Sequence, residues 1–128
     1  MPVITLSNPS SVRTPNGYSH GIIVQGAERR LVISGQVGMA VDGTIPSSGE
    51  AQIAQAFANL RAVLEANGMS PANIVKTTVF LTDRALIGAY RSARTAFFAG
   101  HAPASTLLFI SGLADPNFVV EIEAEAAA

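Results

Sequence analysis

From Phe118 to Ala126 the chain reads FVVEIEAEA, with Glu121, Glu123 and Glu125 alternating with Val120, Ile122, Ala124 and Ala126. Side chains of a strand point to opposite faces in turn, so this period predicts a strand with one acidic face and one apolar face. Other apolar runs are rich in β-branched residues and also predict strands: GIIVQG, LVIS from Leu31 to Ser34, IVKTTVFLT from Ile74 to Thr82, and STLLFI from Ser105 to Ile110. A further short strand fits residues 2–6. The polar stretch from Ala27 to Arg30 reads as a short turn joining the second and third strands.

Two segments change period. Ser47 and Glu50 have the spacing of a capping box, and Ile53, Phe57, Leu60 and Leu64 then recur at helical intervals until Asn67-Gly68 supplies a stop. The Ser-Pro pair of SPAN suits a single helical turn. Asp83 can cap a second helix running to about Phe98, with Leu86, Tyr90 and Phe97 on its buried side and Gly100 and Pro103 ending it. The order β-β-α-β-α-β-β, with the extra strand at the start, predicts an α+β fold. Two helices cover one face of a five- or six-stranded sheet, yet the strands are apolar at both parities. A second copy packed sheet against sheet would cover the other face, and clefts between copies would then be natural ligand sites.

With 128 residues, 48% of them hydrophobic, the chain can build one core, and it reads as a single domain over residues 1–128. No apolar run reaches the length of a membrane span, so no membrane partner is expected. The opening MPVITLSNPSSVRTP lacks the basic-then-apolar pattern of a secretory signal, and a cytoplasmic location is expected. The net charge of −1, with no basic cluster, argues against a nucleic-acid surface. There is no cysteine, and His20 and His101 form no metal-binding pair, so neither thiolate chemistry nor a metal is expected. Ser34 and Ser105 lack the G-x-S-x-G elbow of a serine nucleophile. ISGQVG lacks the spacing of a dinucleotide loop.

ISGQVG (Ile33 to Gly38), IVKTTVFLTD (Ile74 to Asp83), Phe97-Phe98, PAST (Pro103 to Thr106) and VEIEAEA resemble, in order and interval, the RidA/YjgF family, which also carries an old endoribonuclease L-PSP label. The resemblance spans nearly the whole chain. It implies a chorismate-mutase-like (YjgF-like) mixed sheet with two helices on one face, assembled as a homotrimer around a central barrel. It also implies ligand clefts between subunits, hydrolysis of enamines and imines to 2-keto acids and ammonia, and no cofactor. Residue by residue, the family's cleft tyrosine matches Tyr18, its Ser-Gly pair matches Ser34-Gly35, and its cleft glutamate matches Glu121. Glu123 and Glu125 are then ordinary surface or contact residues.

One match fails. Where the imine-hydrolysing branch has PARS, with an arginine that grips the substrate carboxylate, this chain has PAST, and Ser105 stands in the arginine's place. Leu107 stands where the family often has cysteine. A guanidinium makes two charge-assisted bonds to a carboxylate; its loss from a desolvated cleft costs about 2–5 kcal/mol of binding. The simple 2-imino acids are therefore not the expected substrates, and Glu121 lacks its nearest expected cation. Of the arginines on the second helix, Arg84 and Arg91 share a solvent-facing stripe while Arg94 lies nearer the apolar border. Surface solvation is the plain expectation for all three, and Arg94 is the one placed to reach a cleft. Ser105 and Thr106 offer hydroxyls to a ligand. The resulting reading is a Rid-type hydrolase or deaminase acting on an enamine, imine or related small metabolite, with Glu121 handling the proton of water. The alternative is a trimer that binds a small molecule without catalysis, and the remote third is an endoribonuclease.

Overall fold

In the computed structural model, which describes residues 2–128, six strands and two α-helices follow one another along the chain. They are β1 (Val3–Ser7), β2 (Gly21–Gln25), β3 (Arg30–Val37), α1 (Gly49–Ala66), β4 (Ile74–Leu81), α2 (Ile87–Phe98), β5 (Ala104–Phe109) and β6 (Val120–Ala127). The alternating segment, β6, lies inside a four-stranded sheet of order β3-β6-β4-β5. It runs antiparallel to both neighbours, while β5 joins β4 in parallel. The sheet is thus mixed, and its two edges are β3 and β5.

The apolar parity of β6 faces the helices. Val120, Ile122, Ala124 and Ala126 are buried in one core with Val79 and Leu81 of β4 and with Ile53, Phe57, Leu60 and Leu64 of α1. From α2 come Tyr90, Phe97 and Phe98, and the Phe57 and Phe97 rings sit 4.8 Å apart. Both helices lie on this one face. The opposite face carries the glutamates with Lys76, Thr78 and Phe80, and its Val32 and Leu108 are 66% and 46% exposed. No element of this chain covers that face among the described residues.

The helix ends follow local chemistry. The cap of α1 is Ser48, one residue beyond the expected Ser47: its backbone is extended and its hydroxyl accepts from the Ala51 N–H at 3.1 Å. Glu50 still occupies the first turn, where the helix dipole favours an acid. At the far end Gly68 takes φ +68°, a conformation costly for any residue with a Cβ. SPAN forms a single 3-10 turn at Pro71–Asn73. Asp83 accepts from Ala85 N–H at 2.9 Å and caps a 3-10 turn, Arg84–Leu86, that leads into α2.

The β2–β3 connection differs from the sequence reading. These strands do not pair with each other: β2 pairs with β1 in a separate two-stranded ribbon, so the main sheet has four strands instead of five or six. The reason is non-local. The turn gives its backbone bonds to the last residue, with Glu28 and Arg29 N–H donating to Ala128 O at 2.9 and 2.8 Å and Ala128 N–H donating to Arg29 O at 3.0 Å. These bonds commit β3 to β6. Among the described residues, no helix is long and apolar enough to cross a membrane.

Candidate functional site

A cavity of about 550 Å³ opens beside the edge strand β5, between α2 and the loop that precedes β2. Its depth depends on how that loop is tied down. Ser19 N–H donates to Pro103 O at 3.0 Å, and the buried Ser19 hydroxyl donates to Ala102 O. Asn8 then clamps the loop, accepting from His20 N–H at 2.7 Å and donating to Ser19 Oγ at 3.3 Å. These bonds hold Tyr18 against the start of β5, where it shares the cavity with Ser105, Thr106 and Arg94. Four of the seven residues expected at the site are therefore brought together.

Ser105 and Thr106 point to opposite faces of the strand, and each hydroxyl already has a partner. Thr77, almost fully buried, donates to Ser105 Oγ at 2.8 Å, and Lys76 Nζ donates to Thr106 Oγ1 at 2.8 Å on the open face. Position 105, where the family's arginine is expected, is thus built into a hydroxyl pair facing the helices. The cations come from elsewhere. Arg91 and Arg94 reach the cavity from α2, and Arg13 reaches it from the loop. Arg94 is half-buried because its guanidinium lies directly on the backbone of Gly17. A Cβ at Gly17 would collide with that guanidinium, and Gly17 also has φ +79°. Two independent constraints thus favour glycine at one position. Tyr90, on the same helix face, borders the cavity; burial pushes its phenol up to about 12, opposed by the nearby Arg94 charge.

The other three expected residues form a second group. The β3–β6 register shifts between Ile33 and Gln36, so Ser34 and Gly35 make a β-bulge in the edge strand. A Cβ on Gly35 would strike Glu121 Oε1, which means the carboxylate lies against the bulge. Glu121 is half-buried on the open sheet face, opposite Val37 and Phe80. Within one chain Ser34, Gly35 and Glu121 do not border the cavity that holds Tyr18 and Arg94. Glu123 is exposed, and Glu125 pairs with Arg30 at 2.8 Å.

The remaining charged and histidine side chains fall into place. Arg84 is not simply solvated: its guanidinium lies 4.5 Å over the Phe109 ring. Arg91 is exposed, yet it borders the cavity instead of only facing solvent. His20 makes a loop hydrogen bond to Arg13 O at 2.6 Å, and its ring meets the Tyr18 ring edge-on at 5.5 Å. His101 bonds Ile74 O at 2.7 Å. Among the described residues, no group of three or more His, Asp or Glu could hold a metal ion. Sequence reasoning missed Arg13, Thr14 and Asn16, which lie in a loop without periodicity. It also missed Gln52, whose buried amide bonds Pro46 O, Asn117 O and Val119 N–H and so fixes the loop leading into β6.

Comparison with known proteins agrees with this architecture. Residues 9–128 match the model of the endoribonuclease L-PSP family. The chain belongs to that family. The chain is similar to a 2-iminobutanoate/2-iminopropanoate deaminase of Rattus norvegicus, 35% identical over 109 residues that cover 84% of this chain and 77% of the relative. The enzyme of the same name from Escherichia coli K12 is 33% identical over 110 residues, covering 81% and 85%. A crystal structure of a Rid-family protein from Yersinia pestis superimposes with a TM-score of 0.89 at 31% identity, covering 98% of each chain. The mixed sheet with two helices on one face is therefore the Rid fold.

Proposed function

We propose that this Rid protein is a hydrolase of enamines or imines that carry a carboxylate, and that its cleft is completed by a second copy of the chain. The observation carrying the reading is the position of the two residue groups in the sheet. Tyr18, Ser105, Thr106 and Arg94 gather at the β5 edge, whereas Ser34, Gly35 and Glu121 gather at the β3 edge and on β6 beside it. Head-to-tail docking of the β5 edge of one copy beside the β3 edge of the next joins the groups, and such contacts form a ring when the rotation between copies closes. A homotrimer is the ring that the resemblance implies, and it also covers the open sheet face.

In this cleft Arg94 takes the carboxylate that an arginine at position 105 would have taken. The hydroxyl of Tyr18 and the polar groups of the Ser34-Gly35 bulge orient the imine. Glu121 accepts a proton from water as its oxygen attacks the imine carbon. Glu121 returns that proton to the nitrogen, giving a carbinolamine; its hydroxyl proton then passes to the nitrogen as the carbon–nitrogen bond breaks, ammonia leaves and a 2-keto acid remains. An enamine first gains a proton at carbon and loses one from nitrogen, becoming the imine. The relatives named as 2-iminobutanoate/2-iminopropanoate deaminases support this reaction class. The net charge of −1 gives no support to the endoribonuclease label of the family.

The test is turnover of imines generated in situ by an amino-acid oxidase, followed as keto-acid release. Wild type should be active and Glu121→Gln should lose about 10²-fold or more, the scale of a general base. Activity unaffected by Glu121→Gln would refute the assigned role. Complete inactivity of the wild-type oligomer toward every imine would leave a ligand-binding trimer in place of the hydrolase.

A further inference from the structure

Three arginines, Arg13, Arg91 and Arg94, border one cavity, and within one chain no Asp or Glu borders it among the described residues. None of the three is paired elsewhere, since the one ion pair among the described residues joins Arg30 to Glu125. The chain has eight Lys and Arg residues and a net charge of −1, so this concentration of positive charge is local and not a property of the whole surface. Arg91 and Arg94 stand on the same face of α2 as Ile87 and Tyr90, and Arg13 approaches from the opposing loop. A single carboxylate satisfies one guanidinium fork. It leaves two more guanidinium groups at the same cavity without a counter-charge from this chain. The volume of about 550 Å³ also falls in the range that holds ligands far larger than a three-carbon imino acid.

Resting on the hydrolase reading above, we infer that the substrate is dianionic: a 2-imino acid carrying a second carboxylate, of the size of the imine of glutamate. Arg94, fixed against Gly17, receives the carboxylate beside the imine carbon. Arg13 and Arg91, more exposed at the mouth, receive the distal one. Ile87 and Phe109 supply the apolar wall along which the intervening methylene groups lie. Hydrolysis adds one water across the carbon–nitrogen double bond, releases ammonia and leaves a 2-oxo dicarboxylate. Serine at position 105 fits this arrangement, because three guanidinium groups already match the two substrate carboxylates and the Glu121 carboxylate of the next copy.

Calorimetric titration of the intact oligomer with 2-oxoglutarate, its 5-methyl ester and pyruvate tests the inference without requiring turnover. The diacid should bind at least about tenfold more tightly than the ester, which has nearly the same shape and one charge fewer. Arg13→Ala and Arg91→Ala, both at exposed positions, should shrink that ratio by weakening the diacid more than they weaken pyruvate. Equal binding of diacid and ester, or a preference that survives loss of both arginines, would overturn the inference. Turnover of imines made from L-glutamate and L-alanine separates the two claims. Efficient turnover of the alanine imine, with no gain for glutamate, contradicts the dianion preference and upholds the hydrolase. No turnover of either imine, with the diacid preference intact, refutes the hydrolase and upholds the dianion cleft.

Discussion

Replacing Gly17 by alanine should damage ligand binding far more than its effect on the fold would suggest. Alanine at φ +79° costs about 1–2 kcal/mol in backbone strain, partly offset by about 0.4–1 kcal/mol from a less flexible unfolded chain. The net loss of about 1 kcal/mol corresponds to a Tm drop of roughly 3–6 °C for a domain of this size. The new methyl also occupies the place of the Arg94 guanidinium, which is the flexible end of a long side chain and moves aside instead of breaking the fold. A charge-assisted hydrogen bond contributes about 1.5–3 kcal/mol, so carboxylate binding should weaken roughly 10- to 150-fold. Calorimetric titration with 2-oxoglutarate should therefore show a large loss for Gly17→Ala, a similar loss for Arg94→Ala, and no further loss in the double variant. Such non-additivity is the mark of two changes acting through one group. If Gly17→Ala bound like wild type, or if the two losses simply added, Gly17 would not be what holds Arg94 in place.

Other parts of the structure give independent checks. Ser105→Ala removes the partner of the buried Thr77 hydroxyl and should cost about 1–2 kcal/mol in urea unfolding, a loss that Ser105→Thr should largely restore. Gln52→Leu should cost about 2–4 kcal/mol, because the buried amide answers two carbonyls and the Val119 N–H at once; a loss under 1 kcal/mol would show that water replaces it. Tyr90 supplies a pH signature. Its phenol keeps its proton up to about 12 in the fold but only to about 10 when unfolded, so the unfolded state gains stability first as pH rises. Wild type should lose on the order of 2–3 kcal/mol relative to Tyr90→Phe between pH 10 and 12, with no difference below pH 9; parallel unfolding curves across that range would contradict the burial argument.

How much of this was readable from residues alone depended on whether the deciding interaction was local. The strand of β6 and the stripe of α1 follow from periods of 2.0 and 3.6, and Asp83 announced its cap by residue type. The separation of β2 from β3 was not readable. A short polar turn suggests a hairpin, and bonds to Ala128, about a hundred residues away, override it. The shift of the cap from Ser47 to Ser48 is a choice between adjacent identical residues that only backbone conformation makes. Arg94 was reachable from its helical phase, and Tyr18, Ser105 and Thr106 from the family pattern. Arg13 has neither signal, since it sits in an aperiodic loop whose position is fixed by Asn8 and Ser19. Gly17 was similarly opaque: its need for a bare Cα appears only when a guanidinium from α2 is found lying on it.

The most direct test of the central claim, that two copies complete one hydrolytic cleft, is imine turnover by mixed oligomers. Glu121→Gln and Arg94→Ala chains each keep only a small fraction of the activity, and they spoil opposite halves of the cleft. Unfolded together in equal amounts and refolded, they should regain about a quarter of wild-type activity, the fraction of head-to-tail contacts that pair two intact halves in a randomly mixed ring. A mixed sample that forms the same oligomer yet stays as inactive as its parents would contradict the shared cleft.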